Sequence, residues 1–132
     1  MPESPTLPAN CSLVISEKPI TREVSQFRED QGAVVEFHGV VRSGEAGKII
    51  EGIEYEAFEG MARAQFARLM REAFSKWPIH QIHIHHRIGR VKAAEPSLYL
   101  RVCAGHRAEA FAAAQWIIDE MKRVVPIWKK PY

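Results

Sequence analysis

Apolar residues along this chain recur with two different periods, and the switches between them mark out the elements. Ser12-Leu-Val-Ile-Ser16 is a short apolar run that predicts a strand. Thr21 to Arg28 follows Pro19 and predicts a short helix with Thr21 as its N-cap. Gly32-Ala-Val-Val-Glu-Phe-His-Gly-Val-Val-Arg42 is rich in β-branched and aromatic residues, the signature of a strand, and its interior Gly39 marks a bulge or a close backbone approach. Ser43 to Lys48 reads as a flexible polar loop. Ile49 to Phe58 then alternates, with Ile53, Tyr55 and Ala57 on one face and Glu54 and Glu56 on the other, and is expected to pair with the strand before it.

The period changes at Met61. From there to Trp77, Ala62, Phe66, Leu69, Met70, Ala73 and Phe74 form one helical face, with Arg63, Arg68, Arg71 and Glu72 turned to water. Pro78 ends this helix. Ile79 to Ile88 alternates Ile82 and Ile84 with His83 and His85 and predicts a strand closed by Gly89; Val91 opens a short piece, and Ser97 to Cys103 gives the next strand. The last third is a polar turn at His106-Arg107, a long amphipathic helix and a basic tail. In that helix Phe111, Ala114, Ile118, Met121 and Val125 make the expected buried stripe, with Lys122 on its edge beside Phe111, Gln115 and Ile118. Pro126 stops the helix, so Trp128-Lys129-Lys130 must run extended or turned. Ile127 and Trp128 are apolar enough to dock that tail, which makes Lys129 a placed charge.

Strands and helices interspersed in this order predict an α+β domain of two layers with a mainly antiparallel sheet, rather than a doubly wound nucleotide fold. The 132 residues make one domain over 11–132, preceded by a proline-rich arm at 1–10 that reads as flexible. Net charge is only +2, too small an excess to argue for nucleic acid without clustering. The glutamates Glu36, Glu54 and Glu56 on the strands also argue against an RNA-binding sheet face built on Phe37 and Tyr55. Cys11 and Cys103 are far apart and lack CxxC spacing, which suits a reducing, cytoplasmic setting with both thiols as small core groups. The first residues carry no basic and apolar segments of a secretory signal, and charges interrupt every apolar run before it could span a bilayer.

Candidate chemistry concentrates on cations. His80, His83, His85 and His86 cluster, and His83 and His85 share a strand face, but no zinc-type motif accompanies them; partly exposed strand histidines and no metal are expected. Gly39, Gly44 and Gly47 match no phosphate-loop spacing. His106 and Arg107 open a helix, where free N–H groups and the positive dipole end favour an anion, and arginine adds a fork suited to phosphate or carboxylate. Arg42, the first charge after an apolar strand, gains meaning only if other cations converge on it. A lysine such as Lys122 at a core edge either snorkels to water or projects into a pocket.

Five blocks, Gly32 to Arg42, Glu54-Tyr-Glu-Ala-Phe-Glu-Gly-Met61, His86-Arg-Ile-Gly89, Gly105-His-Arg107 and Met121-Lys122 with Pro126-Ile-Trp-Lys-Lys130, together resemble the large, catalytic subunit of molybdopterin synthase. The resemblance runs in order over most of the chain. It implies an α/β hammerhead-like fold, a homodimer within a heterotetramer, and a ubiquitin-like small subunit whose thiocarboxylated Gly-Gly tail enters a pocket. It further implies sulfur transfer from that tail to cyclic pyranopterin monophosphate, which creates the dithiolene of molybdopterin, without a cofactor. By residue, Lys122 and Lys129 are implied as catalytic, and Arg42, His106, Arg107, Lys122, Lys129 and Lys130 as substrate-binding, with His106 and Arg107 reaching across the dimer. The chain departs from the family at Val40, where a lysine is usual, at Ala94, where a turn glycine is usual, and at Pro131, which replaces an acidic residue. The family also usually continues past the position of Tyr132. A noncatalytic module that binds the tail of a ubiquitin-like protein is the other reading.

Overall fold

The structure, a computed structural model, describes residues 6–21 and 27–132. Its frame is a four-stranded sheet built from β1 (Cys11–Ser16), β2 (Ala33–Val40), β6 (Ile79–Arg87) and β8 (Pro96–Ala104), in the order β1-β6-β8-β2. β1 runs parallel to β6, and the other two pairings are antiparallel. Both helices, α1 (Glu59–Lys76) and α2 (Arg107–Val124), lie on one face of this sheet, α1 against β1 and β6, α2 against β2 and β8. Ile82, Ile84, Leu100 and Val102 point into that layer and meet Phe66, Leu69, Met70 and Ile117 in a dry core. Alanines 62, 73, 110 and 113 are wholly buried, which lets the helices approach closely.

The remaining strands make a second layer at one end. β5 (Gly52–Ala57) is the middle of a three-stranded antiparallel sheet, with β7 (Gly89–Lys92) on one side and β9 (Ile127–Pro131) on the other. Val41, Ile53 and Val91 form its own small core. The segment expected as a loop at Ser43–Lys48 contains a minimal hairpin, β3 (Gly44–Glu45) with β4 (Lys48–Ile49), turned by Ala46 and Gly47, both at positive φ.

The second strand of the expected pair does not pair with the first. β2 gives one edge to β8, and a register shift between Gly39 and Val40 bends the chain out of the sheet, so Val41 bonds to the turn at Ala94–Glu95 instead. β5 therefore starts a different sheet. The histidines also differ from expectation, since His83, His85 and His86 are buried rather than partly exposed. Alternation turns His83 and His85 away from the helices, into a polar layer: His83 bonds Ser12, Tyr99 lies between the His83 and His38 rings, and Arg101 approaches Glu36 and Gln81.

Of the expected helix at Thr21–Arg28, residues 22–26 lie outside the described residues, as do residues 1–5 of the expected arm. Further along that arm Leu7 packs on the core, and the Asn10 carbonyl accepts a hydrogen bond from Ile82. No helix among the described residues is long and apolar enough to cross a membrane.

Candidate functional site: a cationic cavity at the end of the second helix

A cavity of about 530 Å³ opens where the two sheets meet the C-terminal end of α2. Three cations line it from three separate places in the chain: Arg42 just beyond β2, Lys122 in the last turns of α2, and Lys129 on β9. Each is placed by a local rule. The bulge at the end of β2 swings Arg42 off the sheet. Pro126 ends α2, and the docked tail then continues as a strand whose period-two alternation sends Lys129 to the same face as its partner Tyr55.

Among the described residues no carboxylate is paired with Arg42, Lys122 or Lys129, whereas Arg68, Arg87 and Arg123 are each held by a glutamate. Among the described residues Glu45 is the only acid lining the cavity. Like charges gathered around one space without counter-ions repel each other, and an anion placed among them relieves that repulsion. The electrostatics of the cavity therefore favour an anion.

Its other wall is neutral and hydrogen-bonded. Tyr55 donates its hydroxyl to Ser97 Oγ at 3.0 Å, and Ser97 Oγ donates to the Gly39 carbonyl at 3.4 Å. Tyr55 also sets its ring edge-on to His86, with centroids 5.3 Å apart. His86 Nδ1 lies 2.7 Å from the Arg87 carbonyl oxygen, which can only accept, so Nδ1 carries a hydrogen. Burial holds this imidazole below the usual histidine pKa, the Arg87 carbonyl opposes that shift, and the His85 charge adds to it.

The structure rotates α2 relative to the expected stripe. Ala110, Ala113, Ala114, Ile117 and Met121 are the buried residues, while Phe111 is 61% exposed. Small alanines fit against the sheet where a phenylalanine would hold the helix off it. Lys122 consequently lies about 120° from the buried direction, on an exposed flank, and enters the cavity from the side.

Not every cation named by the resemblance reaches this space. His106 and Arg107 are exposed at the opposite end of α2, about 22 Å from Lys122 along the axis. His106 is the N-cap residue but makes no side-chain cap; its Nδ1 stands 3.8 Å from Glu109, so the helix N-terminus stays open. Lys130 is turned away from the cavity by strand alternation and borders a shallow depression with Glu54, Glu56 and Trp128. In the other direction, Tyr55, His86 and Ser97 line the cavity without having been assigned a role. The available signal was period two: His86 belongs to the Ile82 and Ile84 face, not to that of His83 and His85. Among the described residues no three His, Cys, Asp or Glu side chains converge to hold a metal ion. Both cysteines are free thiols, and burial pushes Cys11 up to about 11.

Known proteins are similar in both sequence and fold. The family model described as MoaE protein matches residues 14–124. The molybdopterin synthase catalytic subunit of Nostoc sp. is 38% identical over 125 residues, covering 92% of this chain and 76% of that one. A crystal structure of molybdopterin synthase from Staphylococcus aureus superposes with a TM-score of 0.84 at 37% identity, over 90% of this chain and 89% of the other. A complex of subunits 1 and 2 of molybdopterin-converting factor from Helicobacter pylori shares the fold, with a TM-score of 0.69 at 17% identity over 93% and 84% of the two chains. The family model spans both helices and most of the core, and the α+β fold agrees with it, so the chain belongs to the MoaE protein family, that of molybdopterin synthase catalytic subunits.

Proposed function

We propose that this chain transfers sulfur from the thiocarboxylated tail of a ubiquitin-like small subunit to cyclic pyranopterin monophosphate, forming the molybdopterin dithiolene of molybdenum cofactor biosynthesis. The observation that carries this reading is the convergence of Arg42, Lys122 and Lys129, all without carboxylate partners among the described residues, on one cavity. A cyclic phosphate and a thiocarboxylate are both anions, and their approach is opposed until fixed cations offset the repulsion. Lys122 and Lys129 are the catalytic cations, beside the sulfur and the pterin. Arg42 holds phosphate by its guanidinium fork. The two-subunit complex from Helicobacter pylori supports a small protein partner.

The active unit in this reading is a homodimer that completes each pocket with the partner's His106 and Arg107. A pyranopterin is much shorter than the roughly 22 Å that separates Arg107 from Lys122 within one protomer. β2 is the terminal strand of its sheet, and Val40 and Phe111 beside it are 51% and 61% exposed. Phe111 and Lys122 stand within about 20° of each other around the helix, so a second protomer covering the apolar flank reaches the cavity too. The two free thiols and the nature of the reaction fit a cytoplasmic location.

The test is reconstitution: this protein, a thiocarboxylated small subunit and the pterin precursor are mixed, and dithiolene is assayed. Dithiolene formed in proportion to thiocarboxylate consumed supports the reading. Tail binding without any dithiolene would reduce the chain to a noncatalytic tail-binding module.

A further inference from the structure

The cations of the cavity hold anions, but the transfer also releases protons. A tail that gives up its sulfur passes through a thioester to the pterin, and water must then restore the tail as a carboxylate. In that step the water oxygen attacks the acyl carbon, and a proton leaves the water. The carbon–sulfur bond breaks with its electron pair on sulfur, leaving a thiolate on the pterin and a carboxylic acid on the tail, which gives its own proton to solvent. Positively charged side chains around the acyl group stabilise the oxyanion but do not accept the first proton.

We infer that His86 accepts this proton at Nε2 and is a further catalytic residue of the cavity, an inference that rests on the sulfur-transfer reading above. The ring lines the cavity while its Nδ1 is committed as donor to the Arg87 carbonyl at 2.7 Å, which leaves the Nε2 lone pair as the acceptor. Tyr55 fixes the ring plane from its edge, and Tyr55 is in turn held by Ser97. The orientation is thus determined at both sides, the arrangement a general base needs. The charged and titratable groups around it are His38, Arg42, Glu45, Tyr55, Lys122 and Lys129 in the cavity and His85 next in the strand. Burial favours the neutral ring, the His85 charge adds to this and the Arg87 carbonyl opposes it; the net shift is downward, so a base is present at neutral pH. Of the polar layer on the sheet's other face, His83 and His85 do not line the cavity; His38 does, but its Nε2 faces Glu36 at 4.0 Å and, among the described residues, no hydrogen bond fixes its ring as the Arg87 carbonyl fixes that of His86.

The experiment compares wild type with His86→Asn, whose amide retains an N–H for the Arg87 carbonyl but is not a base, and with His86→Gln. Single turnover is followed by mass spectrometry of the small subunit, across pH, with precursor binding measured separately. The expected result is unchanged precursor binding, a fall in thioester hydrolysis of roughly 10²–10⁴-fold, accumulation of the tail–pterin adduct, and loss of the acidic limb of the pH profile in both variants. A ¹⁵N spectrum of the unmodified protein, expected to show Nδ1 protonated and Nε2 bare at neutral pH, keeps the assignment falsifiable should the variants fold poorly. Hydrolysis at the wild-type rate in a folded variant, or a proton on Nε2 at neutral pH, overturns the assignment of His86 alone. A wild-type mixture that binds both reactants and makes no dithiolene overturns the sulfur-transfer reading, and His86 with it.

Discussion

Tyr55 and Lys129 stand directly opposite each other in the antiparallel register of β5 and β9, and both line the cavity. Their neighbours Glu54 and Lys130, paired in the same register, do not line the cavity; they border the depression on the other side, which Lys129 also touches. Strand alternation thereby brings one of two adjacent lysines to the cavity and keeps the other out of it.

That contrast gives the first prediction. Lys129→Ala should lower sulfur transfer by roughly 10²–10³-fold, the usual loss when one fixed charge-stabilising group is removed. Lys130→Ala should stay within about threefold of wild type, as expected of an exposed charge outside the site. Initial rates of dithiolene formation, measured side by side, decide it; equal losses in both variants would mean that the strand face does not select the lysine.

The shared pocket predicts complementation. Arg107→Ala and Lys122→Ala proteins should each be inactive, and a mixture allowed to exchange subunits should regain up to about a quarter of the wild-type activity per site, because half of the subunits enter heterodimers and one of two pockets in each is intact. Exchange is followed by native mass spectrometry. Heterodimers that form and stay inactive would show that each pocket is built from one protomer.

Ala94 offers a test of stability independent of the site. It sits at φ 74° in the turn between β7 and β8, a left-handed conformation that side chains disfavour, while its N–H donates to the Val41 carbonyl at 2.8 Å. Ala94→Gly should stabilise the fold by roughly 1 kcal/mol, the relief of strain outweighing the added entropy of the unfolded chain. A higher urea midpoint with an unchanged slope is the expected result; an unchanged or lower midpoint would mean that the turn carries no such strain.

Buried histidines set an acid limit to stability. The His85 pKa is lowered by burial, then by the charges of His83 and Arg87, and that of His86 is lowered chiefly by burial. In the unfolded chain both titrate near 6.5, so below that value the unfolded state takes up more protons than the folded one. Stability from these groups is thus fully present above pH 6.5 and is lost as pH falls toward their lowered folded values. Urea midpoints should decline between about pH 7.5 and about pH 5.5, and His85→Gln, which cannot charge, should flatten part of that decline. A decline of the same size in the variant would place the acid sensitivity elsewhere.

The sequence by itself determined the elements. Alternation around Ile82 and Ile84, the helical faces of Met61–Trp77 and the breaks at Pro78 and Pro126 all reappear within a few residues of their expected bounds, because backbone period and proline chemistry are local properties. It also singled out Arg42, Lys122 and Lys129, through blocks that resemble a known family. Tertiary structure alone decided which strands pair, which face of a helix is buried and which residues meet. Phe111 and Ala110 fit the helical period almost equally well, and only the closeness of the sheet selects the alanine. Ile53 and Tyr55 alternate whether β5 pairs with β2 or with β9, and the bulge at Gly39 and Val40 settles the choice. His86 looked like one member of a histidine cluster, yet its place in the cavity depends on Tyr55, Ser97 and the end of α2, which are remote in sequence. Periodicity specifies the direction of a side chain relative to its own backbone, and what lies in that direction is set by long-range packing.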